Sequence, residues 1–291
     1  MATETVRVVI QGQEGCYHEI AARQYFSNSK VDIVPCKSFA EEFVKMSADP
    51  GLLGIMAIEN TIAGNLLANH ELLRQSQRVV IGEHRLHISH VLAVYPGQKL
   101  EEVTEVNSHP IALRQCEVFL ETLNGVKVVE KDDTASAARD IRDNQLLGHA
   151  AICSEYAAKL YGLDILARGI ETNKKNFTRF LILRDRFDGE GVARTQVNKA
   201  SIAFSVHHSK GSLSKVLTIL SFYGINLTKI QSMPIIGREW EYRFFVDLTF
   251  EDYIVYHQAL DAIRPFTSEF QVLGEYCENT QSYDAVAPVN V

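Results

Sequence analysis

Between residues 6 and 183 short β-rich runs alternate with helical runs. That rhythm limits the fold more than any other feature, because strands separated by helices pair mainly in parallel and need helices on the faces of their sheet. VRVVIQG (6–12) is a buried strand, HEIAARQYF (18–26) a helix, LLGIMAI (52–58) a strand and LLANHELLRQS a helix. HRLHISHVLAVYP (84–96) is extended and stops at a Pro-Gly turn. VTEVNS (103–108), a helix opening at Pro110, KVVEK (127–131), a helix opening near Thr134 and HAAIC (149–153) repeat the unit, and FLILRD begins a last strand at Phe180.

The periodicity then stops. RFDGEGVARTQVNK (186–199) gathers Gly189, Gly191 and charge and is expected to be a linker. SIAFSV (201–206), the helix SLSKVLTILSFYG, the strand pair INLTKIQSMPII and WEYRFFVDLTF, a helix around 252–263 and a strand near 269–276 follow. That order, βαββαβ in about 80 residues, is a ferredoxin-like arrangement. The expected organisation is thus an α/β domain over 1–185, a linker at 186–199, a domain at 200–278 and a tail at 279–291.

Composition removes several classes of function. With 36 acidic against 29 basic residues the chain carries −7, and no run of like charge offers a phosphate-backbone footprint, so no nucleic-acid partner is expected. No stretch approaches the roughly 20 apolar residues that cross a bilayer, and Glu4 stands where a signal peptide would be basic; no membrane partner and a cytoplasmic location are expected. Cys16, Cys36, Cys116, Cys153 and Cys277 form no C-x-x-C pair and are expected to be reduced and mostly buried. His84, His87 and His90 lie in a strand-like run, where His87 points away from the other two, so no metal or other cofactor is expected. P-loop, G-x-G-x-x-G and G-x-S-x-G patterns are lacking.

In an open α/β sheet ligands gather outside the carboxyl ends of strands, where helix N-termini point. Four junctions there carry polar clusters: Gly12-Gln13-Glu14-Gly15, Glu59-Asn60-Thr61 through Gly64, Asn107-Ser108-His109-Pro110 and Asp133-Thr134-Ala135-Ser136. Each can present backbone N–H groups to a small anion, and each can equally be ordinary helix capping. Asn176-Phe177-Thr178-Arg179-Phe180 is the sharpest local signal. Strand alternation puts Thr178 and Arg179 on opposite faces, so either the backbone is irregular there or one of the two is structural.

These motifs resemble the prephenate dehydratase family over nearly the whole chain. IENTIAG (58–64), NSHPIALRQC (107–116), DTASAA (133–138), AAICSEYAAKLYGLDIL (150–166) and NFTRFLIL (176–183) match its segments in order. The resemblance implies a two-lobed catalytic domain like a periplasmic binding protein, with its second lobe at about 85–165, followed by an ACT regulatory domain. The implied reaction turns prephenate into phenylpyruvate, carbon dioxide and water on the route to L-phenylalanine; arogenate dehydration, or a silent amino-acid-sensing binding protein, are the alternatives.

By the same resemblance Thr178, Arg179 and Phe180 are expected at the catalytic centre. Thr178 would donate to the leaving oxygen, Arg179 anchor a carboxylate and Phe180 wall off water. Glu59, Asn60, Thr61, Gly64, Ser108, His109, Gln115, Thr134 and Ser136 are expected to contact substrate, with Glu59 and His109 the titratable candidates for the proton source. L-Phenylalanine is the implied effector, held between subunits of a dimer or dimer of dimers by Gly211, Ser212, Leu213, Asn226, Leu227, Gln231 and Ser232. Ser212, Gln231 and Met233 depart from the family pattern, and Gly15-Cys16-Tyr17-His18 replaces its usual Gly-Thr-Phe-Ser.

Overall fold

The computed structural model describes residues 5–187 and 194–284. Residues 188–193 of the expected linker and the end of the expected tail, from 285, lie outside the described residues. The chain forms two compact units, one of Met1–Leu66, His84–Phe180 and Gln281–Val291, the other of Leu67–Glu83 and Leu181–Thr280.

The first unit holds two sheets. In one, Lys30–Cys36, Thr5–Gln11 and Leu53–Asn60 lie side by side with Thr5–Gln11 central and parallel to both neighbours, followed by the unit's portions of Phe177–Asp185 and Arg78–His87. Val8, Val9, Ile10, Ile55, Met56 and Ile58 are almost fully buried here, as expected for strands covered by helices on both faces. Helices Tyr17–Tyr25 and Phe39–Ala48 follow the first two of these strands in sequence. Gly15, at φ +92°, makes the turn into the first helix, and a Cβ there would stand 3.1 Å from the Cα of Ala157.

The other sheet runs Asp164–Arg168, Val91–Val94, His149–Cys153, Glu105–Ser108, Lys127–Glu130. It is mixed: Val91–Val94 is antiparallel to both neighbours, whereas Glu105–Ser108 is parallel to both of its own. The extended run expected at 84–96 is therefore two strands in two sheets. The break falls at Ile88–His90, where the Ile88 amide donates to the Asn176 carbonyl and the His90 amide to the Glu171 carboxylate. Contacts between these two lobes include Ser154 Oγ donating to the Gly15 carbonyl and the Gln13 amide donating to Asp133.

In the second unit, Lys199–Ser205, Ser212–Phe222, Asn226–Pro234, Tyr242–Thr249, Tyr253–Ile263 and Ser268–Tyr276 form the expected βαββαβ order. The strands pair antiparallel with Asn226–Pro234 at one side, then Tyr242–Thr249, Lys199–Ser205 and Ser268–Tyr276. Val216 and Leu220 of one helix and Tyr256, Leu260 and Ile263 of the other pack in one apolar cluster with Ile202, Phe204, Val246 and Leu248 of the sheet. Helix Leu67–Gln75 also belongs to this unit. Its His70 and Glu71 meet Lys229 and Arg243 of the sheet at 2.7 and 3.1 Å, and the His70 ring lies 5.1 Å from that of Phe245. Lys199 is itself buried in an ion pair with Glu83, 2.9 Å away.

Among the described residues no helix is long and apolar enough to cross a membrane. Cys16, Cys36, Cys116 and Cys153 are free and buried, and Cys277 is free and exposed.

Candidate functional site

The two lobes of the first unit enclose a cavity of about 450 Å³. Its polar lining comes from strand ends and helix termini: Gln11, Lys37, Ser38, Asn60, His109, Gln115, Asp133, Thr134 and Thr178. Phe39, Ala57, Leu66, Ile88, Ile111 and Phe180 supply apolar walls. A second cavity of about 440 Å³ shares Asn60 and Thr178 with the first and adds Glu59, Thr61, Gly64, Arg85, Phe177 and Arg179. A third, of about 740 Å³, shares Lys37, His109 and Asp133 with the first and continues to Lys131, Ser136 and Arg139.

Asn60 and Thr178 form the hinge of this arrangement. The Asn60 carbonyl oxygen accepts from the amides of Ile62 and Ala63 at 2.9 and 2.8 Å, which fixes the orientation of its amide. Its nitrogen then donates to Asn176 Oδ1 at 2.8 Å and to Thr178 Oγ1 at 2.9 Å. Thr178 thus accepts with one lone pair and keeps its own hydrogen for another acceptor.

The strand carrying Thr178 runs unbroken from Phe177 to Asp185. Thr178 and Phe180 accordingly reach the first cavity, while Arg179 is buried on the other face, paired with Glu59 at 3.1 Å. Of the two titratable candidates from the sequence, His109 lines the first cavity and Glu59 the second. His109 Nδ1 accepts from the Ile111 amide, capping the helix Pro110–Gln115, so in the neutral ring the proton sits on Nε2. Burial holds the His109 pKa below the usual histidine value and raises that of Asp133, whose carboxylate accepts from the amides of Gln13 and Ser136.

Other expected contacts are structurally committed. Thr61 docks its loop on the neighbouring strand, donating to the Lys175 carbonyl at 2.8 Å and accepting from the Phe177 amide at 2.9 Å. Ser108 is fully buried and donates to the Ile152 carbonyl at 2.6 Å. Ser136 Oγ donates to the Asp133 carbonyl, and Gly64 is exposed at φ +82°.

In the second unit Ser212 and Leu213 line a cavity of about 160 Å³ with Val206, His207, Trp240 and Phe244. Gly211 supplies the left-handed N-cap of its helix. Asn226, Leu227, Gln231 and Ser232 lie on the strand at the side of the sheet and are not part of that cavity's lining.

Lys37, Ser38, Phe39 and Gln11 line the first cavity without having been singled out from the sequence, whereas Tyr17 and His18 stood out only as a departure from the family pattern and His90 only among three histidines. Lys37 is the exposed cation shared by the first and third cavities. The available signal was Ser38, three residues before Glu41, a helix-start pattern: Ser38 Oγ accepts from the Glu41 amide.

His18 lies in the cavity wall, its ring edge-to-face with Phe180 at 5.0 Å and Phe39 at 5.5 Å. Burial lowers its pKa to about 3 and that of His84, which contacts Gln24 through Nε2, to about 4. A histidine with a depressed folded pKa stays neutral while its unfolded counterpart takes up a proton below about pH 6.5. Stability is therefore full above that pH and is lost as the pH falls below it. At pH 5 the loss is ~2 kcal/mol per histidine, with His18 somewhat less because its edge is partly exposed. Urea unfolding at pH 7.5 and 5.0 should show this drop, and His84→Gln should make it smaller; an unchanged drop would contradict the assignment to His84.

A family model described as "Prephenate dehydratase" matches residues 8–187. Arogenate dehydratase 1 of Petunia hybrida is 36% identical over 298 residues, covering 95% of this chain and 68% of its own length. Among solved structures, one described as GqqA, a novel type of quorum quenching acylase, superposes with a TM-score of 0.82 at 28% identity, covering 94% of this chain and 98% of that one. The prephenate dehydratase of Arthrobacter aurescens, solved in complex with L-Phe, gives a TM-score of 0.83 at 24% identity over 94% of this chain and 90% of that one, a likeness of fold.

Proposed function

Because the chain belongs to the prephenate dehydratase family, we propose that the 450 Å³ cavity converts prephenate to phenylpyruvate, carbon dioxide and water. The observation that carries this reading is the Asn60–Thr178 hydrogen bond, which leaves the Thr178 hydroxyl hydrogen to be donated into the cavity. The substrate's ring C–C bond to its carboxylate breaks and releases carbon dioxide. Its electrons aromatise the ring and expel the hydroxyl as hydroxide, which takes one proton to become water. Thr178 donates a hydrogen bond to that departing oxygen, where negative charge develops. Asp133, which lines the same cavity and whose pKa burial raises, supplies that proton from its protonated form and regains one from solvent through the neighbouring cavity.

Prephenate carries two carboxylates. Lys37, together with the amides at the starts of helices Phe39–Ala48 and Thr134–Asp143, supplies positive potential beside the cavity. Arg179 acts from the second cavity through its pair with Glu59, at the end of the strand that carries Asn60. Holding the ring against Phe39, Ile111 and Phe180 in a cavity of this size keeps the breaking bonds oriented.

Arogenate fits the same account, differing from prephenate by an ammonium in place of a keto oxygen. The acylase description of one structural relative finds less support, since the cavity thiol, Cys16, is buried and its pKa is pushed well up, the reverse of an activated nucleophile. The βαββαβ part is an ACT domain binding L-phenylalanine in a self-associated enzyme, supported by its strand order and by the Ser212–Leu213 cavity. Initial rates with prephenate and with arogenate, each with and without millimolar phenylalanine, test these readings together. Faster turnover of prephenate and inhibition by phenylalanine are expected; a preference for arogenate would reassign the substrate, and unaffected rates would remove the effector.

A further inference from the structure

Behind the reacting hydroxyl lies a run of side-chain hydrogen bonds whose direction is fixed from one end. The Ile62 and Ala63 amides make the Asn60 oxygen an acceptor, so the Asn60 nitrogen donates to Asn176 Oδ1. Asn176 must then donate through Nδ2, and it does so to Gln115 Oε1 at 3.0 Å. Gln115 Oε1 is thereby an acceptor too, and its other partner is His90 Nε2 at 2.9 Å. Only an Nε2–H can make that bond. At the far side of the ring, Tyr17 Oη lies 2.9 Å from Nδ1 and 2.7 Å from the Ser89 carbonyl, within reach of both with its one hydrogen.

We infer that His90 is a positioning residue for the reaction, held as its Nε2–H tautomer so that Gln115, Asn176 and Asn60 keep the Thr178 hydrogen turned into the cavity. The inference rests on the proposed function. His90 is 1% exposed, Asn176 fully buried and Gln115 7% exposed, so water offers little substitute for a missing partner. The ring is held from outside the chain of amides as well, by Tyr17 and by the His90 amide's bond to Glu171, whose other oxygen lies 3.5 Å from Lys174. Burial keeps the imidazole neutral at ordinary pH. Without the Nε2–H the Gln115 side chain loses the donor that opposes Asn176; the Ile62 and Ala63 amides still set the direction of the Asn60 amide, and what is lost is the positional hold on Asn176 and, through it, on the Asn60 nitrogen.

The test has a kinetic and a spectroscopic arm. His90→Leu should lower kcat about tenfold with KM within about twofold, whereas His90→Gln, whose amide nitrogen can stand in for Nε2–H, should recover to within about threefold of wild type. A purely packing role would favour leucine over glutamine, the opposite ranking. Long-range proton–nitrogen NMR of the wild-type protein labelled with 15N-histidine, with the resonance assigned by its loss in His90→Gln, should show a neutral ring protonated on Nε2. Protonation on Nδ1 alone, or a glutamine variant no better than leucine, would overturn the inference. A wild-type chain inactive on both prephenate and arogenate would instead overturn the proposed function, and the NMR tautomer would still decide whether the hydrogen-bond direction is right.

Discussion

Replacing Thr178 by alanine or valine should lower turnover of prephenate at least about 100-fold, a loss of ~2.7 kcal/mol of transition-state stabilisation. The hydroxyl has one fixed partner, Asn60, and one hydrogen left to give, so its contribution is to the oxygen that becomes anionic as it departs. Valine keeps the branched shape and the strand preference of threonine, which separates loss of the hydroxyl from loss of packing. Thr178→Ser should stay within about tenfold of wild type because it retains the donor. Steady-state rates on variants with unchanged unfolding midpoints check this. Near-normal turnover by the valine variant would remove Thr178 from the mechanism.

Gly274→Ala should destabilise the second unit by about 3 kcal/mol or more. Gly274 pairs with Val80 in a parallel bridge where the two backbones come unusually close. A Cβ on Gly274 would stand 2.5 Å from the Val80 Cβ and 2.7 Å from its amide nitrogen, and nearer still to its carbonyl oxygen. The obstacle is backbone inside a strand pair, which cannot rotate away as a flexible side chain could. Denaturant unfolding followed by far-ultraviolet circular dichroism measures the effect; a variant within about 0.5 kcal/mol of wild type would show that the strands separate at little cost.

Much of the architecture was legible because each strand or helix carried its own local signal. The βαββαβ order followed from strand runs and turn residues such as Gly224 and Gly237, and the strand HAAIC from its apolar run. The strand Lys30–Cys36 escaped because it lies at the side of its sheet, only partly buried and with Pro35 inside it, so neither alternation nor β-propensity marks it. Missing that strand also hid Lys37 and the helix start beside it. The grouping of Leu67–Glu83 with the C-terminal sheet rests on contacts such as Glu71 with Arg243, which lie far apart in sequence and leave no local trace.

The site was legible to a similar depth. Thr178, Asn60, His109 and Gln115 were identified by motif and meet at one cavity. Strand parity already separated Thr178 from Arg179, and in the strand that begins at Phe177 Arg179 pairs with Glu59. His90 was visible only as one of three histidines weighed for metal binding. Its part in the hydrogen-bond series depends on Tyr17 and Gln115, which sequence spacing does not bring together.

The central claim is most directly tested by the fate of prephenate. Incubated with the purified 291-residue chain and followed by the ultraviolet absorbance of phenylpyruvate and by released carbon dioxide, prephenate should give the two products in equal amounts, at a rate proportional to enzyme and far above the spontaneous one. Phenylpyruvate appearing no faster than in buffer alone would contradict the account.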